Sequence, residues 1–188
     1  MAVDVECRVR RFTADEYLRL AEVGVLRKDE RVELIRGAIL TMSPIGPRHS
    51  SFVASFVRLL VLALGDRATV WVQSTVRLLP DTMPEPDLAI LHGLPRVYRQ
   101  AHPTPRDIAL VIEVAESSLA YDRGAKVALY AEAGVPEYWV VDAAAEAIEI
   151  YRDLRDGRYQ QLARVTGSQA IGPLAFPDVV LQLPEIFG

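Results

Sequence analysis

Apolar residues recur at intervals of three and four positions between residues 49 and 64, which is the spacing of a helix with one buried face. That face comprises Phe52, Val53, Phe56, Val57, Leu60, Val61 and Leu64. Three runs rich in β-branched and other apolar residues follow at 70–78, 87–91 and 108–115. Each of these runs predicts a strand, so three strands are expected after the helix.

A second helix and a fourth strand complete the centre of the chain. Asp122 is expected to cap this helix, and Gly134 is expected to end it in the left-handed conformation. Residues 137–142 then predict a short apolar strand. The order of helix, three strands, helix and strand is typical of an α/β (or α+β) protein in which helices cover one sheet.

Smaller elements are predicted at both ends of the chain. A capping-box pattern at residues 13–16 opens a first helix, and residues 31–42 predict a hairpin that turns at Gly37. Residues 147–165 predict a final hairpin with an Asp-Gly turn. Because 188 residues are enough for one well-buried core and few for two, we expect a single domain.

Composition places the chain among folded globular proteins, since 51% of its residues are hydrophobic and 24% are charged. The longest purely apolar stretch, at 59–64, is far shorter than the ~18 residues that span a bilayer, so we expect no membrane segment. The single cysteine, Cys7, cannot form an internal disulfide, and no secretory signal is expected, which favours a cytoplasmic location. The net charge of −4 counts against a broad nucleic-acid-binding surface, although local arginines can still contact phosphates.

Two acidic residues stand at the ends of predicted buried strands. Glu113 lies within the apolar run 108–115, and Asp87 follows Pro86 at the start of another apolar strand. An ionised carboxylate in such a place is costly unless a cation or hydrogen bonds compensate it. If the two strands are neighbours, both acids and the backbone carbonyl of Val114 can bind one Mg²⁺, which takes one or two carboxylates plus water and phosphate oxygens.

Lys126 adds a positive charge to this picture. It lies four residues after Asp122 and four before Tyr130, so these three side chains share one stripe of the second predicted helix. If that stripe faces the strand ends, the ammonium can reach a phosphate. Hydrolysis of a phosphodiester needs an activated water and neutralisation of the developing charge, which two acids, a metal and a lysine supply.

Three segments at 86–87, 113–130 and 134–142 together resemble the Uma-type family of restriction endonucleases, within the PD-(D/E)XK nuclease superfamily. The resemblance extends over nearly the whole chain. It implies a restriction-endonuclease-like αβββαβ core with a mixed central sheet flanked by helices. It also implies hydrolysis of phosphodiesters with Mg²⁺, or with Mn²⁺ in its place, and catalytic acids at Asp87 and Glu113. The superfamily's lysine usually stands two residues after the second acid, where this chain has Ala115, so Lys126 is expected to supply the charge from the helix.

Each of the three main residues also has an ordinary structural explanation. Asp87 can cap a strand, Glu113 can extend to solvent, and Lys126 can form an exposed pair with Asp122 worth only about 0.3–0.5 kcal/mol. Their joint occurrence at positions that match the family favours one shared site.

Four further residues are candidates for accessory roles. The family positions match Glu33, as an additional acid near the metal, and His49, as a contact to phosphate or a base. Gln73 is a candidate for orienting the attacking water, and Asp122 shares the stripe of Lys126. Solvent-facing or sheet-face polar residues of these types are the alternative explanation, and the sequence leaves both open.

Four arginines flank the expected cleft in sequence and could contact phosphates: Arg96, Arg99, Arg106 and Arg123. At least half of them are expected to lie in solvated loops instead, because surface arginines often have no specific partner.

The leading hypothesis is one nuclease-like domain over residues 1–188 that cuts DNA. It has an N-terminal helix and hairpin at 1–47, a catalytic core at 48–142 and a C-terminal hairpin extension at 143–188. A homodimer is expected because double-strand cutting needs two sites. The alternative is a catalytically silent nucleic-acid-binding or assembly module on the same fold, and a third possibility is hydrolysis of RNA or a small phosphodiester.

Overall fold

A six-stranded mixed sheet forms the centre of the computed structural model, which describes residues 9–27 and 29–188. Its six strands are β3 (Ala68–Val72), β4 (Leu88–His92), β5 (Ile108–Ala115), β6 (Tyr138–Asp142), β7 (Ala147–Arg155) and β8 (Arg158–Thr166). Two separate antiparallel pairs are formed by β1 (Val32–Ile35) with β2 (Ala38–Thr41), and by β9 (Ala170–Ile171) with β10 (Leu181–Gln182). The helices are α1 (Ala14–Glu22), α2 (Pro47–Leu64), α3 (Leu119–Tyr121), α4 (Val127–Ala133) and α5 (Leu183–Phe187). Cys7 lies outside the described residues.

The central sheet has the spatial order β3-β4-β5-β6-β7-β8. Strands β5 and β6 are parallel, and every other neighbouring pair in this sheet is antiparallel. Parallel neighbours need a long crossover, which α3 and α4 supply. The order α2-β3-β4-β5-α4-β6 confirms the predicted αβββαβ core and the mixed sheet flanked by helices.

Helices cover both faces of the sheet, because successive side chains of a strand point to opposite sides. On one face, the apolar side of α2 packs against Leu110 and Ile112 of β5. On the other face, Leu129 and Tyr130 of α4 pack against Val111. The stretch from Pro47 to Arg67 has the length and composition of a membrane-spanning helix. One of its faces, with Phe52, Phe56 and Leu60, belongs to the core of this fold, while Val61 and Leu62 are exposed.

The final hairpin is confirmed as β7 and β8, which extend the central sheet rather than lie apart from it. At the other end of the chain, β1 and β2 form the predicted hairpin. This hairpin packs with α1 through a small cluster that includes Tyr17, Leu34 and Met83. Because Leu34 also pairs with Met83, the hairpin is fixed beside the segment that leads into β4.

Two predicted boundaries are wrong for local reasons. The strand predicted at 70–78 ends at Val72, because Gln73 adopts a left-handed conformation with φ of 41° that interrupts the extended backbone. The second helix does not begin at Asp122. It begins at Leu119 and widens into a π-helical turn from Asp122 to Lys126 before α4 continues, and Gly134 ends it in the left-handed conformation as predicted. Such π-turns occur frequently at functional sites.

Candidate active site

A cavity of about 420 Å³ opens at the end of the sheet where β4 begins and β5 ends. Its polar residues include Glu33, His49, Asp87, Glu113 and Lys126, which come from five separate places in the sequence. The connection between β2 and α2 forms one wall, and residues 116–118 after β5 lie on another side. The structure therefore brings the main predicted acids, the lysine and three accessory candidates, Glu33, His49 and Asp122, to one cavity.

The pairing of β4 with β5 brings the two predicted acids together. Leu88 pairs with Ile112, so Asp87 just before β4 lies beside the end of β5 that carries Glu113. The backbone N–H of Val114 donates a hydrogen bond of 2.9 Å to Oδ2 of Asp87. The N–H and C=O of one residue in a strand point to the same side, so the carbonyl of Val114 also faces the side of Asp87.

Two side chains hold Asp87 from other directions. Nε2 of His49, in the first turn of α2, lies 2.9 Å from Oδ2 of Asp87. The side-chain amide of Gln73 donates a longer hydrogen bond of 3.3 Å to Oδ1. The structure thus places His49 and Gln73 in direct contact with Asp87, whereas the sequence indicated them only as candidates for accessory roles.

Glu113 is held from the covering helix. Its Oε1 accepts hydrogen bonds from Nζ of Lys126 at 2.8 Å and from the hydroxyl of Tyr130 at 2.7 Å. The stripe predicted for Asp122, Lys126 and Tyr130 does face the strand end. Within the described residues, Oε2 of Glu113 has no bonded side-chain donor and is free to face the cavity.

Three carboxylates surround the ammonium of Lys126. Besides the contact with Glu113, Nζ lies 3.9 Å from Oε2 of Glu33 and 3.9 Å from Oδ1 of Asp122. All four side chains are buried. The sequence alternative of an exposed Lys126–Asp122 pair is therefore wrong.

Burial dominates the electrostatics of the site. It raises the pKa of Glu113 to about 8, against the attraction of Lys126 and with the help of repulsion from Asp87 and Asp122. Burial alone would lower the pKa of Lys126, but the negative charges of Glu113, Glu33 and Asp122 outweigh it and raise that pKa. Lys126 consequently stays protonated, and the site holds more carboxylate than one ammonium neutralises.

Three polar atoms at the cavity have no hydrogen-bond partner. Of the four such buried side-chain atoms in the described part of the chain, Oε2 of Glu33, Nδ1 of His49 and the hydroxyl of Tyr121 belong to residues that line this cavity. The fourth, Nε1 of Trp71, lies elsewhere. A buried polar group without a partner costs about 1–3 kcal/mol, so three at one cavity indicate a ligand site.

The donor set fits a hard divalent cation that keeps part of its water shell. The available oxygens are Oδ1 of Asp87, Oε2 of Glu113 and the carbonyl of Val114, and oxygen ligands of this kind suit Mg²⁺ or Mn²⁺. Across residues 9–27 and 29–188, no group of three or more His, Cys, Asp or Glu side chains is placed to hold a metal ion. An ion at this cavity would be bound through two carboxylates at most and would keep water as its other ligands.

The predicted phosphate-contacting arginines are not gathered at the cavity. The chain runs away from Asp87 along β4 and returns along β5, so the connection that carries Arg96, Arg99 and Arg106 lies at the opposite end of the sheet. Arg123 does lie near the site, but its guanidinium is paired with Glu149 at 2.8 Å and with Asp142 at 3.1 Å. Arg96, Arg99 and Arg106 therefore flank the cavity in sequence but not in space, in keeping with the expectation that at least half of the four lie in loops away from it.

Sequence analysis gave no role to Tyr130 or Tyr121. The helical spacing of four from Lys126 was the available signal for Tyr130, whose hydroxyl contacts Glu113. No comparable signal exists for Tyr121, because its place at the cavity depends on how α3 leads into the π-turn.

Comparison with known proteins finds similarity along most of the chain. A family model named Uma2 and described as "Putative restriction endonuclease" matches residues 14–184. An uncharacterized protein from Synechocystis is 26% identical over 163 residues, which cover 84% of this chain and 89% of that protein. The crystal structure of a "putative nuclease belonging to DUF820" from Anabaena variabilis is similar in fold. It has a TM-score of 0.75 at 17% identity and covers 94% of this chain and 97% of that chain.

Proposed function

The chain belongs to the Uma2 family of restriction-endonuclease-like proteins, and from this premise we propose that it is a divalent-metal-dependent endonuclease that hydrolyses phosphodiester bonds in DNA. One observation carries the proposal. Asp87, Glu113 and Lys126 meet at one cavity, although they lie on a strand start, a strand end and a helix. The unpartnered polar atoms of Glu33 and His49 at the same cavity support a ligand-binding role.

Asp87, Glu113 and the carbonyl of Val114 would hold Mg²⁺, or Mn²⁺ in its place. When bound, such an ion supplies a Lewis acid for the phosphoryl oxygen and lowers the pKa of a water molecule. His49 fixes Oδ2 of Asp87, and Tyr130 fixes Oε1 of Glu113, so each acid keeps one oxygen directed to the cavity. Fixed ligand orientation of this kind strengthens metal binding.

Lys126 supplies the charge for the reaction itself. During hydrolysis, the oxygen of water bonds to phosphorus and the water gives up a proton to solvent, while the bond from phosphorus to the leaving oxygen breaks and that oxygen takes up a proton from solvent. Negative charge grows on the phosphoryl oxygens, and a pre-positioned ammonium in a buried site stabilises it. Because Nζ lies 2.8 Å from Oε1 of Glu113, the helix brings this charge to the second acid of the site.

The test is cleavage of circular DNA, both supercoiled plasmid and single-stranded circles, by the purified full chain with Mg²⁺ or Mn²⁺. We expect nicking that disappears with chelator and falls at least about 100-fold in Asp87→Ala and Lys126→Ala. Arg58→Ala, at an exposed position on α2, is the matched control and should retain the activity. Equal nicking by both site variants and the unchanged chain would contradict the proposal. Salt-sensitive retention of DNA without any cleavage would favour the silent binding module instead.

A further inference from the structure

We propose that the substrate of this nuclease is single-stranded DNA, including a single-stranded tail or frayed end, rather than intact duplex. The inference rests on the proposed function and specifies its substrate class. Three features of the cavity carry it: the depth at which the reactive groups lie, the apolar character of its rim, and the small number of cationic side chains around it.

The reactive groups lie at the floor of the cavity. Asp87 is 8% exposed, Glu113 is 4% exposed and Lys126 is 5% exposed. The phosphates of a duplex lie on the outside of a stiff rod that bends smoothly only over lengths of about 50 nm. A cavity of about 420 Å³ is the size of a small-ligand pocket, so it can admit one nucleotide but not a segment of duplex. A flexible strand can turn a single phosphodiester into this space.

Apolar side chains form the rim above this polar floor. Leu40 is 36% exposed and Ile45 is 38% exposed, and both line the cavity together with Met42 and Pro44. These exposed apolar side chains do not suit the outer surface of a duplex, which presents charged phosphates while its bases are stacked inside. The bases of a single strand expose their faces, and these faces pack on apolar and aromatic side chains. Tyr121, whose half-buried ring also lines the cavity, adds an aromatic surface.

The charges around the cavity allow few phosphate contacts. Among the described residues that line it, Arg31 and Lys126 are the cations, while the acids are Glu33, Asp87, Glu113, Glu116 and Asp122. Two further arginines near it are engaged with acids: Arg48 pairs with Glu146 at 3.0 Å, and Arg123 pairs with Glu149. A duplex-binding surface needs many cations along the backbone. A short strand that contacts one or two phosphates does not.

Contact with so few phosphates also predicts that the affinity for DNA depends only weakly on the salt concentration. A single strand loses affinity with a slope of about −0.7 per neutralised phosphate in a plot of log affinity against log salt. Contacts to one or two phosphates therefore give a slope of about −1, which is much shallower than a duplex-spanning nuclease would show.

The experiment compares one DNA sequence as a single strand, as a blunt duplex and as a duplex with a single-stranded tail, all with Mn²⁺ and the full chain under single-turnover conditions. An RNA strand of the same sequence is included. We expect the single strand and the tail to be cut at least about tenfold faster than the blunt duplex, because only they need no unpairing. Ile45→Ser should raise the protein concentration that gives half of the maximal single-turnover rate on the single strand and leave that maximal rate nearly unchanged. Leu62→Ser, at an exposed apolar position of α2, is the matched control and should change neither.

The possible failures are distinguishable. Cutting of the blunt duplex as fast as the single strand would overturn the substrate inference and leave the nuclease proposal standing. Preferred cutting of the RNA strand would also overturn the inference for DNA. An absence of cleavage on every substrate with Mn²⁺ would overturn the proposed function and, with it, this inference.

Discussion

Glu113 and Glu137 are buried glutamates on adjacent strands, and their surroundings differ in a way that separates function from structure. Glu137 is fully buried at the start of β6, where Oε1 accepts hydrogen bonds from Nε1 of Trp139 at 2.7 Å and from Nε of Arg152 at 2.6 Å. Its Oε2 accepts a bond of 2.6 Å from the backbone N–H of Leu174. Both oxygens of Glu137 are therefore satisfied by donors from the protein.

Among the described residues, the side-chain donors of Glu113 bind one of its oxygens, Oε1. One of these donors, Lys126, also lies near two other acids. Within the described part of the chain, Lys126 is the ammonium shared by Glu113, Glu33 and Asp122, and Oε2 of Glu33 accepts no hydrogen bond. This cluster also opens to a cavity, whereas Glu137 is fully buried. A buried acid with complete donors stabilises the fold, and one with too few donors beside a cavity is prepared for a ligand.

The largest expected effect is on activity at the incomplete cluster. Glu113→Gln should lower metal-dependent cleavage by about 1,000-fold, because the amide removes a charged metal ligand from the reaction centre. Its free energy of unfolding at neutral pH should fall by no more than about 1 kcal/mol, because the raised pKa keeps Glu113 protonated in the metal-free fold and a neutral amide replaces a neutral acid. Plasmid nicking and urea denaturation measure the two quantities. Nearly full cleavage by this variant would remove the distinction between the two glutamates.

The matching change at the complete cluster should affect stability instead. Glu137→Gln removes the charged partner of the partly exposed Arg152 and turns a fully buried acceptor into a neutral amide, which should lower the free energy of unfolding by about 3 kcal/mol. Cleavage per folded molecule should stay within about twofold of the unchanged chain, as Glu137 lies outside the cavity. A loss of activity without a loss of stability would contradict the structural role of Glu137.

Metal binding should depend on pH because of Glu113. Its pKa of about 8 means that a metal ion competes with a proton below that pH, so the affinity for Mn²⁺ should fall about tenfold per pH unit from pH 8 down to pH 6. Above pH 8 the affinity should level off. Calorimetric titration in buffers of different ionisation enthalpy measures both the affinity and the released proton. A flat affinity over this range would show that Glu113 is ionised throughout.

The raised pKa of Glu113 makes the stability of the metal-free fold fall with increasing pH, whereas it makes the metal affinity rise. Between the ordinary pKa of 4.5 and about 8, the folded chain keeps a proton on Glu113 that the unfolded chain loses. Since the folded state then binds more protons, its stability falls as the pH rises through this window. Glu113→Gln should remove this contribution, and saturating Mn²⁺ should oppose it.

The smallest expected effect concerns orientation. Tyr130→Phe removes the 2.7 Å hydrogen bond to Oε1 of Glu113 and should weaken Mn²⁺ binding about tenfold. Tyr159→Phe serves as the control, because it removes a comparable hydrogen bond of 2.8 Å to the backbone carbonyl of Val135, just after the end of α4. An equal loss of affinity in both variants would mean that a general loosening of the helix, and not the contact with Glu113, is responsible.

Local sequence patterns explain why part of the site was predictable. An acid within the apolar run 108–115 identified Glu113, and a helical spacing of four put Lys126 on the stripe that meets it. Both rules act over a few residues, so they need no knowledge of the fold. The αβββαβ order followed from the same local patterns together with the family resemblance.

The other parts of the site depend on contacts that are distant in sequence. Arg96, Arg99 and Arg106 follow Asp87 closely in sequence, but an antiparallel turn carries them to the far end of the sheet. Glu33 reaches Lys126 only because its hairpin packs beside β4. The turn of the chain at Gln73 requires a left-handed backbone in a residue other than glycine, which no sequence pattern announces.

The central claim is that Asp87 and Glu113 bind one divalent ion at the cavity that Lys126 also lines. Anomalous diffraction from a crystal of the full chain soaked in Mn²⁺ tests it most directly. The account predicts a peak at about 2.0–2.5 Å from Oδ1 of Asp87, Oε2 of Glu113 and the carbonyl oxygen of Val114, with Nζ of Lys126 facing the same cavity. A peak elsewhere on the protein, or none at saturating Mn²⁺, would contradict it.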